Sequence, residues 1–325
     1  MGNTEDLLDD IRDRIDTHAE PLAEARKRLR LVRAKAGAFP GALRTYASGS
    51  IPQNTFIHPV DDGDGGVVLD RRTYPELGPE GGGASPARVT PLMCALLGHS
   101  LREAYPRARC TTSKRGPKIA FGRPVDGQDP TVDMVLALTR RNGTGLWIPN
   151  LRTNRWEASH PERHVELFTS GSRRHRRVRR RVIRLLKAWN KQFDEPGFSS
   201  HNLTVWAWEF VSPGMGVATA LSRVLTQACA RVESGTATPD PAGVSGSVEL
   251  LTARTVAARR LRTAAGALAD ALDHDADRDA VRSALSGVFP TYFDDPVPSG
   301  LVRSSRPRGP GSRSRRIAAT HRSRA

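Results

Sequence analysis

The spacing of apolar residues changes near residue 165, and this change limits the chain to a fold that combines a sheet with a separate group of helices. Before that point, short runs typical of strands, at 67–69, 118–121 and 132–138, alternate with helical segments. After it, apolar residues recur three or four positions apart, as they do in packed helices. The pattern predicts an α/β (α+β) chain with a small mixed sheet in residues 1–165 and a C-terminal helical lobe in residues 166–295.

Both ends of the chain and one internal segment have patterns of their own. Residues 4–35 carry apolar positions three or four apart with charges between them, which predicts one long helix or two, interrupted near Pro21. Residues 73–91 are rich in Gly and Pro and contain neither a GxxxxGK(S/T) nor a GxGxxG motif, so we expect a mobile connection. Residues 296–325 are mainly Pro, Ser, Gly and Arg, which predicts a disordered basic tail.

The net charge of +16 is confined to two places. The chain has 50 Lys and Arg residues against 34 Asp and Glu residues, but nine basic residues lie in 171–190 and eight in 300–325, and neither segment contains an acid. The remainder holds 33 basic and 34 acidic residues, so the body of the protein is nearly neutral. An arginine run of this kind is most often a solvated or acid-paired helix surface, and the alternative is a nucleic-acid or partner contact.

The cysteines and the N-terminus indicate the compartment. Cys94, Cys110 and Cys229 are far apart and form no CxxC pair, which argues against a zinc ribbon, a thioredoxin motif and a disulfide framework. The N-terminal residues are acidic where a signal peptide would be basic, and no apolar run reaches the roughly 18 residues of a membrane helix. We therefore expect a cytoplasmic protein without a membrane partner.

Three aspartates carry the most informative pattern. Asp62 and Asp64 lead into the apolar run Val67-Val68-Leu69, and alternate residues of a strand point to the same side, so the two carboxylates can converge. Asp133 lies at the start of a second apolar run. Carboxylates this close repel each other unless a cation lies between them, and oxygen ligands suit Mg²⁺. Three acids on neighbouring strands could hold two metal ions, one activating a hydroxyl and the other neutralising a leaving pyrophosphate.

Each of these elements is weak evidence by itself. An isolated acidic pair is usually a solvated turn, and a Ca²⁺ loop would need downstream ligands and a closing Glu that are missing. An isolated Gly49-Ser50 is simply a turn. The order of the elements is more informative, because the Gly-Ser turn comes first, Asp-x-Asp follows about a dozen residues later, and the third Asp stands at a strand start.

This order resembles the polymerase-β-like nucleotidyltransferase superfamily, and further motifs narrow the resemblance. The sequence reads SGSIPQNTFIHPVDDGDGGVVLD, then DPTVDMVLAL, GLWIPNLRTNRWEASHPERH, RLLKAWNKQF and FSSHNL. Over about residues 40–290, this series is similar to the bacterial cGAS/DncV-like nucleotidyltransferases (CD-NTases). The resemblance implies a nucleotidyltransferase palm around the small mixed sheet, with the active site in a cleft beside the helical lobe.

The resemblance also implies roles for seven residues. The catalytic and metal-binding positions are Asp62, Asp64 and Asp133, and the nucleotide-binding positions are Gly49, Ser50, Lys187 and Ser200. The implied cofactor is Mg²⁺, or Mn²⁺ in its place, with two ions per site. Asp61 remains an alternative to Asp62, which only the two-residue spacing to Asp64 favours. Ser199 remains an alternative to Ser200, which is preferred because His-Asn-Leu follows it.

Other candidate residues are weaker. His160 and His164 are spaced like two ligands on one helical face, but there is no Glu at the HExxH position and no Cys nearby, so we expect hydrogen bonding rather than metal binding. Lys114 and Arg115 precede a strand and could reach a nucleotide, but nothing in the sequence gives their direction.

The implied enzyme converts nucleoside triphosphates into a cyclic di- or trinucleotide, or a short oligonucleotide, and releases pyrophosphate. As a second messenger in anti-phage signalling, the product would bind a downstream effector. The chain lacks the clustered cysteines of the zinc insertion in the animal DNA-sensing relatives, so DNA activation is not implied, although the arginine run at 173–184 leaves a nucleic-acid activator open. The alternatives are a basic nucleic-acid-binding module without catalysis, and a nucleotidyltransferase that modifies a small molecule or an RNA end.

Overall fold

The computed structural model describes residues 2–293, and the predicted tail at 296–325 lies outside them. The described residues form ten α-helices: α1 (Asn3–Ile15), α2 (Ala19–Gly37), α3 (Ser50–Gln53), α4 (Thr90–Leu101), α5 (Pro161–Phe168), α6 (Arg173–Lys191), α7 (Ser200–Phe210), α8 (Val217–Glu233), α9 (Arg254–Asp273) and α10 (Arg278–Ser286). The seven strands are β1 (Ala42–Ser48), β2 (Asp62–Leu69), β3 (Arg109–Ser113), β4 (Gly116–Ala120), β5 (Thr131–Thr139), β6 (Leu146–Asn150) and β7 (Arg155–Ser159).

All seven strands belong to one mixed sheet. Its central order is β1-β2-β5-β4-β3, and β6 pairs with both β5 and β7. β2 and β5 are parallel, whereas the other pairs are antiparallel. All seven strands precede the helices α5 to α10, so the sheet and the later helices follow each other along the chain. The predicted α/β (α+β) class with a small mixed sheet is confirmed.

Two large apolar clusters stabilise the protein. The first covers one side of the sheet with α2 and α4 and includes Val67, Leu136 and Met93, all buried. The second lies among the helices after residue 165 and includes Trp206 and Leu261. The apolar residues of α1 pack into this second cluster, although the sequence division groups that helix with residues 1–165. The boundaries of the two parts remain a prediction.

The structure shows how the predicted helix break near Pro21 and the Gly- and Pro-rich segment at 73–91 are accommodated. The first helical stretch divides between Ile15 and Ala19, and Pro21 lies in the first turn of α2, where its missing N–H leaves no intrahelical bond unmade. In the Gly- and Pro-rich segment, Leu77 is fully buried in the sheet cluster. Among the described residues, no helix combines the length and apolarity that a membrane span requires.

Candidate active site

The three predicted catalytic aspartates converge at one end of the sheet. Asp62 and Asp64 lie on the same face of β2, and the parallel register places Asp64 beside Asp133 of β5. One carboxylate oxygen from each of the three lies within 4.8 Å of the others. The two-residue alternation on β2 and its pairing with β5 therefore form one acidic cluster, which we call the carboxylate cluster.

The cluster is electrostatically unfavourable without a cation. Burial, followed by repulsion from Asp133, raises the pKa of Asp62. Burial and the neighbouring Asp62 and Asp133 raise the pKa of Asp64 to about 7. Lys118 of β4 lies across from Asp133 in the register and donates from its Nζ to Asp133 Oδ2 at 2.9 Å. This one ammonium partly compensates three carboxylates.

The donor set of the carboxylate cluster fits a hard divalent cation. All three side chains offer carboxylate oxygens, which Mg²⁺ and Mn²⁺ prefer over softer ligands such as thiolates. The raised pKa values of Asp62 and Asp64 mean that the folded protein has an unmet demand for positive charge at this point. The residues present therefore match the metal that the sequence pattern implies.

Gly49 and Ser50 occupy the turn between β1 and α3. Gly49 has φ +70° and ψ −153°, a conformation that side-chain-bearing residues rarely adopt, and a Cβ at this position would overlap the carboxylate of Asp64. Ser48 pairs with Asp64 across β1 and β2, so the turn begins directly beside the carboxylate cluster. Glycine at 49 thus allows the turn to lie against Asp64, and Ser50 lines the same pocket as the acids.

Lys187 and Ser200 approach from the helical part of the chain. Lys187 lies on α6 and donates from its Nζ to the backbone oxygen of Thr55 at 2.9 Å. Burial lowers its pKa to about 8, although Asp62 and Asp64 oppose this shift. Ser199 accepts a hydrogen bond from the Asn202 amide and caps α7, whereas Ser200 lines the pocket. The structure therefore assigns the cap to the first serine and the pocket to the second.

These residues surround one pocket of about 430 Å³. The sequence-predicted residues that line it are Gly49, Ser50, Asp62, Asp64, Lys187 and Ser200. Asp133 joins them through the carboxylate cluster. All seven predicted positions are thus brought together, with acids on the sheet side and the half-buried Lys187 on the helix side.

The neighbouring acid Asp61 has a different partner. Asp61 Oδ2 lies 3.1 Å from Lys191 Nζ. Within residues 2–293, the carboxylate cluster consists of Asp62, Asp64 and Asp133 and does not include Asp61. Asp61 and Lys191 both line the pocket edge. Asp62 rather than Asp61 is therefore placed to hold a metal, and Lys191 adds a second cation one helical turn beyond Lys187.

The sequence analysis did not identify His201 and Asp240. Asp240 forms a hydrogen bond with His164, and the ring of His201 lies beside that of His164. His164 Nε2 lies 2.5 Å from Asp240 Oδ1, and the Asp240 carboxylate also accepts backbone N–H groups of the 242–245 turn. The ring centroids of His164 and His201 are 4.8 Å apart, and burial lowers the pKa of His201 to about 4. His164 and His201 both line the pocket. No local signal links residue 240 to residue 164, which lies 76 positions away.

His164, His201 and Asp240 could also be considered as metal ligands, because their donor atoms lie within 4.8 Å of one another. However, 2.5 Å is a hydrogen-bond separation, and two ligands bonded to one zinc ion at about 2.1 Å lie more than about 3 Å apart. The Asp240 carboxylate is already satisfied by backbone donors. We therefore interpret the group as a hydrogen-bonded wall of the pocket, as expected for His164 from the sequence.

The remaining candidate residues, His160, Lys114 and Arg115, lie away from the pocket. His160 accepts the Arg163 amide through Nδ1 and caps α5. Arg115 forms an ion pair with Glu157 at 2.6 Å. Neither these two nor Lys114 lines the pocket. They therefore have no contact that would assign them to a nucleotide.

No protein-family model matches the sequence, and no curated protein matches it. Solved structures are similar in fold. CdnG of Bradyrhizobium diazoefficiens, a CD-NTase in complex with GTP, is 18% identical with a TM-score of 0.62, over 88% of this chain and 95% of that one. CdnC of Escherichia coli MS115-1 with ATP is 14% identical with a TM-score of 0.60, over 84% and 93%. DncV of Vibrio cholerae, a cyclic AMP-GMP synthase in complex with nonhydrolyzable GTP, is 15% identical with a TM-score of 0.54, over 78% and 70%. The chain has the fold of the cGAS/DncV-like nucleotidyltransferases.

Proposed function

We propose that this chain is a metal-dependent nucleotidyltransferase that joins nucleoside triphosphates into a cyclic di- or trinucleotide, or a short oligonucleotide, and releases pyrophosphate. The observation that carries the proposal is the carboxylate cluster on the sheet side of a pocket whose helix side presents Lys187 and Ser200. This arrangement suits a triphosphate, because the carboxylates would hold metal ions that neutralise phosphate charge, and the Lys187 ammonium would contact the phosphates.

In this reaction a ribose hydroxyl attacks the α-phosphate and pyrophosphate leaves. When bound at the carboxylate cluster, two Mg²⁺ or Mn²⁺ ions would lower the pKa of the attacking hydroxyl and neutralise the leaving group. Asp62, Asp64 and Asp133 would hold those ions. Ser50 would bind the triphosphate at the turn that Gly49 permits, and Lys187 would balance charge on the phosphates.

The solved relatives support the same chemistry. CdnG is described in complex with GTP, CdnC with ATP, and DncV as a cyclic AMP-GMP synthase. By analogy we propose nucleoside triphosphates as substrates here and a cyclic product with a second-messenger role in anti-phage signalling. We further propose that the enzyme works in the cytoplasm and that its product acts on a downstream effector.

Two other functions use parts of the same structure. A nucleotidyltransferase that modifies a small molecule or an RNA end would need the same metal site, and only product analysis separates it from a cyclic synthase. A binding module without catalysis is disfavoured, because three converging carboxylates repel phosphate unless a metal is present.

The test is to incubate the purified full-length protein with Mg²⁺ and labelled ATP, GTP, CTP and UTP, singly and mixed, and to identify phosphatase-resistant products. We expect such a product from the wild type and none from Asp62→Asn/Asp64→Asn. The matched control, Asp61→Asn, removes the same charge one residue away and breaks only the pair with Lys191, so turnover should fall less than about tenfold. Unchanged turnover in the double variant would refute the metal site.

A further inference from the structure

The hydrogen-bonded pair of His164 and Asp240 belongs to the pocket wall but not to the seven positions assigned above. The side chain of His164 is 11% exposed and lines the pocket, whereas that of Asp240 is 1% exposed and does not line it. Three backbone amides of the 242–245 turn hold the Asp240 carboxylate in place. A buried acid is thus dedicated to one histidine of the pocket.

The ionised state of Asp240 determines which nitrogen of His164 carries a hydrogen. Burial alone would raise the pKa of Asp240, but hydrogen bonds from the Ser245 amide and from His164 hold that pKa well below its usual range. An ionised carboxylate only accepts hydrogen bonds, so His164 Nε2 carries the hydrogen at the 2.5 Å contact. Within residues 2–293, His164 Nδ1 has no protein hydrogen-bond partner. The second nitrogen of the ring is therefore available to a ligand.

His164 lies on the helix that contacts the elements of both serines assigned to phosphate binding. α5 contacts α3, which begins at Ser50, and α7, which begins at Ser200. His164 and both serines line the same pocket. The ring is therefore placed where the proposed function puts phosphate groups.

A phosphate oxygen at Nδ1 would need a hydrogen on that nitrogen. Because Nε2 already carries one, a phosphate-bound His164 is an imidazolium, and Asp240 pairs with its positive charge. Binding of the phosphate is then coupled to the uptake of one proton by the ring. Histidine is the side chain that changes charge in this way near neutral pH.

The two neighbouring histidines do not compete for this role. The ring centroid of His201 on α7 is 4.8 Å from that of His164, and burial, followed by His164, lowers the pKa of His201 to about 4. His160, at the start of α5, has a pKa lowered by burial and does not line the pocket. Asp240, from the turn after α8, is the acid that contacts the His164 ring.

The other charged groups on α5 and its neighbours are already paired. α5 contacts β1, α3 and α7. Arg44 of β1 forms an ion pair with Glu162, and Arg163 forms one with Glu166. The residues of α3 include no ionisable side chain. The charge that α5 presents to the pocket therefore depends on His164.

We propose that His164 binds the terminal phosphates of the nucleoside triphosphate, and the pyrophosphate that leaves, through Nδ1, with Asp240 as its positioning residue. The identity of this anion rests on the proposed function. A nucleobase N–H is the other ligand that Nδ1 could contact. It would bind the neutral ring, so its binding would not require uptake of a proton.

Isothermal titration calorimetry with the full-length protein and Mg²⁺ tests the inference. The probe is inorganic pyrophosphate at about pH 6, 7 and 8, with adenosine and guanosine as probes that carry no phosphate. The test variant is His164→Gln, whose amide N–H can still donate to Asp240 but cannot become cationic. The control, His160→Asn, removes an imidazole from the same helix outside the pocket and keeps a residue type that caps helices well.

We expect His164→Gln to weaken pyrophosphate binding by about ten- to a hundredfold near pH 6, because a charge-assisted contact to phosphate is lost. This factor should decrease as the pH rises toward 8, because proton uptake by the wild-type ring becomes less favourable. The factor compares two proteins at one pH, so the titration of pyrophosphate itself cancels. His160→Asn should change the affinity less than about threefold at each pH.

Asp240→Asn tests the positioning role. Asn can still accept a hydrogen bond from the ring but brings no negative charge, so the pyrophosphate affinity should be lost at a lower pH than in the wild type. A purely structural role of Asp240 would instead lower the affinity by the same factor at every pH. If His164→Gln does not fold, His164→Asn should give the same pH-dependent loss with a smaller side chain.

Three results would overturn the inference. Unchanged pyrophosphate affinity in His164→Gln near pH 6, or no binding of pyrophosphate by the wild type, would mean that no phosphate contacts this ring. Equal losses in the test and control variants, or a loss independent of pH, would mean that the charge on the ring is not involved. Equal weakening of adenosine or guanosine binding would assign His164 to a nucleobase.

This test is separate from that of the proposed function, because the binding of pyrophosphate needs no turnover. A wild-type protein that forms no nucleotide product but binds pyrophosphate through His164 would contradict the proposed function and keep the anion site. Product formation together with unchanged pyrophosphate binding in His164→Gln would contradict only this inference.

Discussion

At the scale of single residues, the pocket contains two ionisable side chains whose charged forms are unfavourable in the empty site. Asp64 has a raised pKa of about 7, and Lys187 has a lowered pKa of about 8. Burial is the main cause in both, and such shifts are concentrated at functional sites because bound substrate or metal restores the missing charge. The half-buried Lys187 gives the sharpest test of substrate contact.

Replacing Lys187 with Ala should raise KM for the nucleoside triphosphate by about ten- to a hundredfold with a smaller change in kcat. A charge-assisted contact to phosphate is worth about 1.5 to 3 kcal/mol and acts in the ground state as well as in the transition state. In the wild type, KM should also rise above pH 8 as the ammonium loses its proton. Steady-state kinetics across pH 6.5–9.5 measures both effects.

Two variants serve as controls for this prediction. Lys187→Arg should recover part of the affinity and abolish the rise of KM above pH 8, because a guanidinium stays charged. Arg174→Ala removes one charge from an exposed position of the same helix that does not line the pocket. Equal effects of Lys187→Ala and Arg174→Ala would mean that Lys187 acts only through the general field of α6.

At the scale of secondary-structure elements, the site depends on how closely β1, β2 and α3 approach. The approach is possible because Gly49 has a positive φ and no side chain, and a Cβ there would overlap Asp64. The apolar face of α6 packs in the helical cluster, whereas Lys187 of the same helix lines the pocket.

Replacing Gly49 with Ala should lower kcat/KM by about a hundredfold or more, because the turn must move away from the carboxylate cluster. The control is Gly127→Ala. Gly127 has the same φ of +70°, but a Cβ there meets no atom within 4 Å, so it reports the backbone strain without the overlap. If the two variants lose equal activity, contact with Asp64 is not the cause.

At the scale of the whole molecule, the carboxylate cluster lowers the free energy of unfolding in the absence of metal. The folded pKa of Asp64, about 7, lies above its ordinary value of 3.8. Protonated Asp64 therefore favours the folded state over the unfolded state, compared with ionised Asp64. This stabilisation is complete below about pH 4 and is lost as the pH rises through 7. Divalent metal should restore that stability by binding the folded state alone.

Asp64→Asn should accordingly be more stable than the wild type by about 1 to 3 kcal/mol at pH 8 in EDTA, and this advantage should shrink as the pH falls toward 4. Mg²⁺ should reduce the advantage because it stabilises only the wild type. Urea unfolding at several pH values, with and without Mg²⁺, measures the difference.

Asp70→Asn, just past the other end of β2, tests the direction of this pH dependence. Hydrogen bonds from Arg72 lower the pKa of Asp70, so its contribution is present above its ordinary pKa and is lost as the pH falls. This variant should therefore be no more stable than the wild type at pH 8. A constant advantage of Asp64→Asn at all pH values would show that the carboxylate charge is not responsible.

Local patterns were sufficient for the fold class and for much of the candidate site. Alternation along a strand places Asp62 and Asp64 on one face, and the period of α6 separates its apolar stripe from Lys187. These relations depend only on backbone geometry within one element, so the order of residues determines them. The resemblance in motif order then added the nucleotide-binding roles of Gly49, Ser50, Lys187 and Ser200.

Tertiary structure alone decided which distant groups meet. Pairing of β4 with β5 brings Lys118 to Asp133, the 242–245 turn brings Asp240 to His164, and the packing of α1 against α6 pairs Asp16 with Arg184. In these three pairs the partners are 15, 76 and 168 positions apart. No local periodicity relates such residues, because their contact depends on strand order and helix packing, which the burial of the two apolar clusters determines over the whole chain.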